Sequence, residues 1–275
     1  MRHIALIFNP GKPQAQIEAR HCLRWFKQHQ CSAFLFSSSQ NKLPACSHAL
    51  TFGGDGTMLR MSKTLAERAI PVLGVNLGSL GFMAETTPKE VTMILTKLLA
   101  DKLPIENRMM LALKHQRKTV TTEYGALNDA VIHAGSTGRI ITVSAYRNKE
   151  FIADYIGDGL IVSTPTGSTA YSLAAQGPIV HPQLSLFILT PISPHTLTQR
   201  PLIVSPESTI SLSCSSKYAT QKPILSIDGQ TFIPLTSHDR ITISASPHPL
   251  RLMSNPNRNY LQILRTKLKW GERGS

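Results

Sequence analysis

The sequence predicts an α/β portion with a parallel sheet and glycine-rich turns, followed by a β-rich portion, with a C-terminal helix returning to the first. Three observations predict this. Over residues 1–100, short apolar runs alternate with helical patterns, the order that builds a parallel α/β sheet. From about residue 104 the texture changes to short β-like runs punctuated by turn residues, as in antiparallel sheets. Tyr260 to Leu268 then carries Leu261, Ile263, Leu264 and Leu268, a helical spacing that closes the chain. The expected division is 1–104 for the α/β domain, 105–255 for the β-rich domain, and 256–275 for the helix packing back on the first.

Each element has a local cause. Ile4 to Phe8 is a short apolar run stopped by Asn9-Pro10-Gly11-Lys12-Pro13, so it reads as a buried first strand. Residues 14–28 read as a helix with Ile17, Cys22, Trp25 and Phe26 on a rough apolar face. Ala33 to Phe36 and Ala49 to Phe52 follow as strands, Met58 to Arg68 as a helix, and Pro71 to Val75 as a strand. The helix from Pro88 to about Ala100 has the fullest set of signals. Thr87 suits the N-cap, Pro88 the first helical position, and Glu90 completes a capping box. Val91, Ile94, Leu95, Leu98 and Leu99 share one face. The expected β-rich runs are Met109 to His115, Tyr124 to His133, Ile140 to Tyr146, Gly159 to Ser163, Leu186 to Leu189, Thr209 to Ser213, Ile224 to Ile227 and Ile241 to Ser244.

The stretch Thr51-Phe52-Gly53-Gly54-Asp55-Gly56-Thr57-Met58-Leu59-Arg60 joins a strand to a helix. Its glycines allow backbone conformations that a β-carbon forbids, and they let a ligand approach the main chain. N–H groups freed at such a turn, together with a helix start, attract phosphate. Asp55 stands among them. A carboxylate beside phosphate is repulsive unless it holds a metal ion or takes a proton. The same residues also suit a tight bend with Asp55 as a cap, and both readings stay open at this point. A second glycine-rich turn, Asn76 to Phe82, ends the next strand, and ligands gather where parallel strands end in such turns.

A second block of chemistry lies in the β-rich portion. Residues 163–178 crowd hydroxyls around a glycine turn after the apolar run Gly159-Leu160-Ile161-Val162. Such a segment either caps its own helix or presents amides, hydroxyls and an aromatic ring to a polar ligand. Asn128-Asp129 interrupts an apolar run. Adjacent strand residues face opposite sides, so one of the two points at the core or at a cleft. An unpartnered buried carboxylate is costly, and a sugar diol with two hydroxyl donors suits it. Asp158, between Gly157 and Gly159, is the third placed carboxylate.

The totals exclude several classes. No apolar run is long enough to cross a bilayer, and the N-terminal apolar segment is too short for a secretory signal. Cys22, Cys31, Cys46 and Cys214 are scattered and form no C-x-x-C pair, which suits free thiols in a reducing cytoplasm. The net charge of +13 suits polyanions or a basic solvated surface. Without a dense Lys/Arg block, and with 6% aromatic residues, a nucleic-acid platform is not indicated. No H-E-x-x-H, G-x-S-x-G or Walker-type loop occurs. His133, His181 and His195 are isolated and read as structural.

Taken together, the motifs resemble the bacterial NAD kinases, in family order. They are Gly53-Gly54-Asp55-Gly56-Thr57, Gly74 to Phe82, Leu127-Asn128-Asp129, Asp158 to Ser172, and Pro194-His195-Thr196-Leu197 with Arg200-Pro201-Leu202. The resemblance extends to Lys267-Leu268-Lys269-Trp270-Gly271. The Gly-Gly-Asp-Gly-Thr turn alone is shared with lipid kinases of the diacylglycerol and sphingosine type; the long Ser/Thr block is specific. The resemblance implies transfer of phosphate from ATP to the 2′-hydroxyl of the adenosine ribose of NAD, giving NADP. It also implies Mg²⁺ carried mainly with ATP, and a cytoplasmic homodimer or homotetramer. It assigns Asp55 as the catalytic aspartate, which orients or deprotonates the hydroxyl, with Gly56 and Arg60 beside the nucleotide. Asn128 and Asp129 match the pair that holds the dinucleotide. Arg139 and Asp158 match further contacts, with Asp158 given by a neighbouring subunit. Thr169, Ala170, Tyr171, Ser172, Leu173 and Ala174 match the segment around adenosine and ribose, and Gln230 a late polar contact. Two departures stand out. Asp129 is the shorter acid of its pair, and Ile156 lies where some members carry a basic residue linked to choosing NAD over NADH. A lipid kinase, or a dinucleotide sensor without catalysis, remains the alternative.

Overall fold

The apolar runs of the first hundred residues become strands of one sheet in the structure, a computed structural model describing residues 2–78, 81–135, 140–216 and 222–270. The chain divides into two units, one running to Asn107 and resuming at Leu250, the other Arg108–Pro249.

The first unit contains β1 (His3–Phe8), β2 (Ser32–Ser37), β3 (His48–Gly53), β4 (Val72–Asn76), β5 (Ile105–Arg108) and, from the far end of the chain, β18 (Leu250–Met253). Their order is β2-β1-β3-β4-β18-β5. The pairs β1–β2, β1–β3, β3–β4 and β4–β18 are all parallel. Both faces of such a sheet are covered, which explains why β1 and β4 read as continuous apolar runs rather than alternating ones. The sequence reading left Leu250–Met253 in the β-rich portion. Its pairing with β4 instead returns the chain to the first unit at residue 250, not 256.

Helix α1 (Pro13–Gln28) starts with proline in its first turn and buries Ala15, Ala19, Cys22 and Phe26. These join Ile4, Leu6, Leu50, Phe52 and Leu73 in one core. Each fully buried large side chain contributes roughly 1.5–3 kcal/mol. Helix α2 (Asp55–Glu67) begins three residues earlier than its apolar pattern suggests, directly on the glycine turn. Helix α3 (Pro88–Leu99) has its expected cap: Glu90 Oε2 accepts the Thr87 N–H at 3.0 Å and the Thr87 hydroxyl at 2.7 Å. Helix α5 (Tyr260–Leu268) is capped by Asn259, whose side chain accepts from Gln262 N at 2.8 Å. It buries Ile263 and Leu264 within the first unit, and Arg258 just before it pairs with Glu90 at 3.2 Å.

The second unit is a pair of antiparallel sheets. One holds β6 (Leu111–Arg117), β7 (Val120–Ala126), β9 (Ile141–Arg147), β10 (Glu150–Gly157), β14 (Ile210–Ser215) and β17 (Arg240–Ala245). The other holds β8 (Asp129–His133), β11 (Gly159–Ser163), β12 (Phe187–Ile192), β13 (Leu202–Val204), β15 (Ile224–Ile227) and β16 (Thr231–Pro234). One apolar cluster draws side chains from both: Leu113, Val143, Leu212 and Ile243 from the first sheet, Ile132, Leu160, Phe187 and Leu225 from the second. The run Tyr124–His133, expected as one strand, is two. It leaves one sheet after Ala126 and enters the other at Asp129. The apolar residues on either side of Asn128 belong to different ladders, which a single-strand reading could not separate.

Candidate active site

In the first unit the site begins at the turn after β3. Gly54 is the extended N-cap of α2 and offers no side-chain cap; Thr57 N donates to Gly54 O at 3.0 Å, while the N–H groups of Asp55 and Gly56 come before any acceptor of their own helix. A Cβ on Gly54 or Gly56 would meet nothing within 4 Å, so the main chain there is open. Asp55 is the first helical residue, and its carboxylate folds back on the second glycine-rich turn. Oδ2 accepts Phe82 N at 3.0 Å, and Oδ1 accepts Met83 N at 3.3 Å and Ala84 N at 3.1 Å. A Cβ on Gly81 would overlap the carboxylate, so glycine is what allows this close approach. Leu77 N donates to Gly53 O at 3.0 Å, tying the two glycine turns together a second time. Phe82 lies 6.5 Å from the Tyr260 ring of α5. The cap reading of Asp55 does not hold: Gly54 is the N-cap, and the Asp55 carboxylate is fixed by amides of the second turn and not by those of its own helix. Gly56 and Arg60 are exposed on the same first turns.

In the second unit a pocket of about 350 Å³ is lined by Asn128, Asp129, Val131, His133, Ala170, Tyr171, Ser226, Asp228, Gly229 and Phe232. The two-residue period of β8 builds one wall. Asp129, Val131 and His133 face the pocket, while Ala130 and Ile132 face the core. Helix α4 (Tyr171–Ala174), preceded by a 3-10 turn at Thr166–Thr169, brings Ala170 and Tyr171 to the rim. Two acceptors distinguish this pocket. Asn128 Oδ1 is buried with no hydrogen-bond partner among the described residues. Asp129 is 5% exposed, and burial, then the charge of Asp228, push its carboxyl up to about 7. Buried polar atoms in native proteins are nearly always paired, so an orphaned amide oxygen beside such a carboxyl marks a place for donors from outside the chain.

The remaining predicted residues fall as follows. Asn128, Asp129, Ala170 and Tyr171 come together in the pocket. Ser172 turns inward, its hydroxyl 2.9 Å from that of Thr190. Thr169 donates to Thr166 O at 3.3 Å, and Leu173 and Ala174 continue the helix beside them. Asp158 is exposed between β10 and β11, and Gln230 is exposed in the β15–β16 turn. Arg139 lies outside the described residues. Sequence reasoning missed Ser226, Asp228 and Phe232, and took His133 as structural. A signal existed in Asp228-Gly229, an acidic turn directly after an apolar strand. Among the described residues, no group of three or more His, Cys, Asp or Glu side chains is placed to hold a metal ion. No helix of the described residues is long and apolar enough to cross a membrane.

A parallel α/β unit with an acid on a glycine turn, followed in the chain by an antiparallel unit whose pocket carries two buried acceptors, fits a nucleotide-dependent kinase of two domains. Residues 42–103 match the ATP-NAD kinase N-terminal domain, and residues 127–254 the ATP-NAD kinase C-terminal domain. An NAD kinase from Citrifermentans bemidjiense is 37% identical across 99% of this chain and 100% of its own length. One from Azotobacter vinelandii is 40% identical across 86% and 80%. The crystal structure of an NAD kinase from Archaeoglobus fulgidus in complex with ATP superposes with a TM-score of 0.78 at 25% identity, covering 97% of this chain and 98% of that one. The crystal structure of yeast NADH kinase complexed with NADH shares the fold, with a TM-score of 0.84 at 22% identity, covering 100% of this chain and 89% of its own. This chain belongs to the NAD kinase family.

Proposed function

We propose that the chain transfers the γ-phosphate of ATP to the 2′-hydroxyl of the adenosine ribose of NAD, giving NADP. The observation that carries this reading is the pocket on β8, where the unpartnered Asn128 Oδ1 lies beside the buried Asp129 carboxyl. A ribose diol supplies two hydroxyl donors to two such acceptors. Ala170 and Tyr171 border the base, with Thr169, Ser172, Leu173 and Ala174 shaping that wall behind them. Gln230 and Arg139 add polar contacts, and Asp158, exposed on its turn, serves a neighbouring subunit's dinucleotide.

Phosphoryl transfer asks the protein for positioning and charge neutralisation more than for covalent chemistry. Asp55 accepts the proton of the 2′-hydroxyl as that oxygen attacks the γ-phosphorus, and ADP leaves. The open main chain at Gly54 and Gly56, with Arg60 on the next turn, receives the phosphates. The donor set also fits magnesium. An ion bound through one carboxylate and phosphate oxygens needs no protein cage, and among the described residues Asp55 Oδ2 accepts one hydrogen bond, from Phe82 N. When bound, magnesium offsets the charge developing on the phosphate oxygens.

Purified protein with ATP, magnesium and NAD is expected to form NADP. Asp55→Asn is expected to abolish turnover and leave NAD affinity within about threefold of wild type. Retention of most turnover in that variant rejects the base role. Phosphorylation of a lipid alone assigns the chain to the lipid kinases that share the turn, and NAD binding without turnover makes it a sensor. A cytoplasmic homodimer or homotetramer belongs to the same proposal; a fully active monomer by native mass removes that part.

A further inference from the structure

The turn between β15 and β16 holds a carboxylate that the chemistry above does not use. Asp228 is 8% exposed and sits in the left-handed region at φ 51°, followed by Gly229 at φ 61°. Its Oδ1 accepts Asn128 N at 2.7 Å and Asp129 N at 3.1 Å, and its Oδ2 accepts Leu127 N at 2.8 Å. In return, Asp228 N donates to Asp129 O at 3.0 Å. Successive amides converging on one anion form a backbone nest.

The chain needs a partner here because it is changing sheets. Leu127 and Asn128 lie between β7 and β8 and belong to neither strand, and buried N–H groups left unpaired are costly. Thr164 closes the carbonyl side: its hydroxyl donates to Leu127 O at 2.6 Å and its N–H to Asn128 O at 2.9 Å. A Cβ on Gly167 would overlap Asn128 O, so the third wall fits just as closely. The amides and carbonyls of the crossover are thus both held, and Asn128, its second residue, faces the pocket beside Asp129.

We propose that Asp228 is a positioning residue for the NAD subsite: by fixing the amides of Leu127, Asn128 and Asp129, it sets the directions in which Asn128 and Asp129 meet the ribose. This inference rests on the function proposed above.

The same carboxylate also acts on its neighbour's charge. Burial and then the Asp228 charge raise the Asp129 carboxyl to about 7. Asp228 itself is raised by burial, against three backbone hydrogen bonds that favour its ionised form. The other titratable groups lining the pocket are His133 on β8, which burial holds below its ordinary range, and Tyr171 on α4. β11 places uncharged Ser163 opposite Asp129 in register. Ionised Asp129 accepts one ribose hydroxyl beside the one that Asn128 Oδ1 accepts, whereas the protonated acid offers a competing donor. NAD binding therefore strengthens as pH rises through about 7. Removing the Asp228 charge lowers the Asp129 midpoint and carries the binding transition to lower pH.

The test is steady-state kinetics with direct NAD titration, from about pH 5.5 to about pH 8.5, on wild type, Asp228→Asn and Thr164→Val. Asp228→Asn is expected to raise the KM for NAD roughly tenfold or more and to leave the KM for ATP within about twofold. Its pH midpoint for NAD binding moves acid-ward. Thr164→Val loosens the same crossover without changing charge, so it raises the KM for NAD and leaves the midpoint where it was. A folded Asp228→Asn with a wild-type KM for NAD overturns the proposal. So does a raised KM with an unmoved midpoint, which makes Asp228 structural only. Should Asp228→Asn not fold, Thr164→Val with a wild-type KM for NAD overturns it equally. Wild-type protein that makes no NADP sinks the functional reading instead, and the NAD titrations still report on Asp228.

Discussion

Gly81→Ala tests the acid of the first unit without changing any polar group. The new Cβ would overlap Asp55 Oδ1, so the carboxylate must swing away from the amides of Phe82, Met83 and Ala84. Hydrogen bonds to a charged group contribute about 1.5–3 kcal/mol each when buried. Asp55 is only partly buried and Met83 N is at 3.3 Å, so the three together are worth roughly 2–4 kcal/mol here. A domain of this size loses roughly 2–4 °C in Tm per kcal/mol, so a fall of roughly 4–16 °C is expected. Misplacing a catalytic group by about 1 Å costs on the order of 100-fold in rate, which sets the expected loss of kcat. The assay is NADP formation at saturating ATP and NAD, run beside thermal unfolding. NAD affinity should hold within about threefold, because the pocket on β8 is untouched. Wild-type kcat and Tm together refute the packing of Gly81 against Asp55. A lowered Tm with wild-type kcat refutes the catalytic weight placed on where Asp55 is held.

Two further variants probe the second unit. Asp239 is fully buried, with Arg117 Nε at 2.9 Å and Nη2 at 2.7 Å, Thr236 N at 2.9 Å, and His115 Nε2 at 3.5 Å. Burial alone would raise this carboxyl, but the hydrogen bonds from Arg117 and Thr236 and the neighbouring positive charge outweigh it and hold it at about 2. Because the folded value lies below the unfolded one, this stability is fully present above pH 3.8 and is lost as pH falls through about 2. The shift corresponds to about 2.5 kcal/mol at most. Arg117 is 46% exposed and screened by solvent, so about 1–2 kcal/mol is the expected share. Urea unfolding of Asp239→Asn should show lower stability at neutral pH and a flatter acid limb; a limb parallel to wild type excludes this origin. Gly167→Ala drives a Cβ into Asn128 O and should raise the KM for NAD about tenfold, with the KM for ATP steady. Equal losses for both substrates point to general misfolding instead.

Much of this protein could be read from local pattern. Period and punctuation determined β1, β3, β4 and α3, because a buried parallel strand must be apolar throughout and a helix start must satisfy its own N–H groups. The glycine turn with Asp55, the Asn128-Asp129 pair and the Ser/Thr block suit phosphate and sugar chemistry in the sequence, where each also suits a self-capped turn. β10 and β16 were missed because their polar and apolar residues follow no sustained alternation, and their place depends on partners elsewhere in the chain. The switch of sheet at Leu127-Asn128 was hidden for a related reason: apolar residues flank it on both sides, and only pairing partners distinguish two ladders from one. The tertiary structure alone decided that Asp55 is held by amides 27 to 29 residues away, and that Asp228 gathers amides about 100 residues before it. Composition and spacing report what a segment does for itself. A carboxylate's role depends on which donors the fold brings within about 3 Å of it, and that is a property of the packed chain.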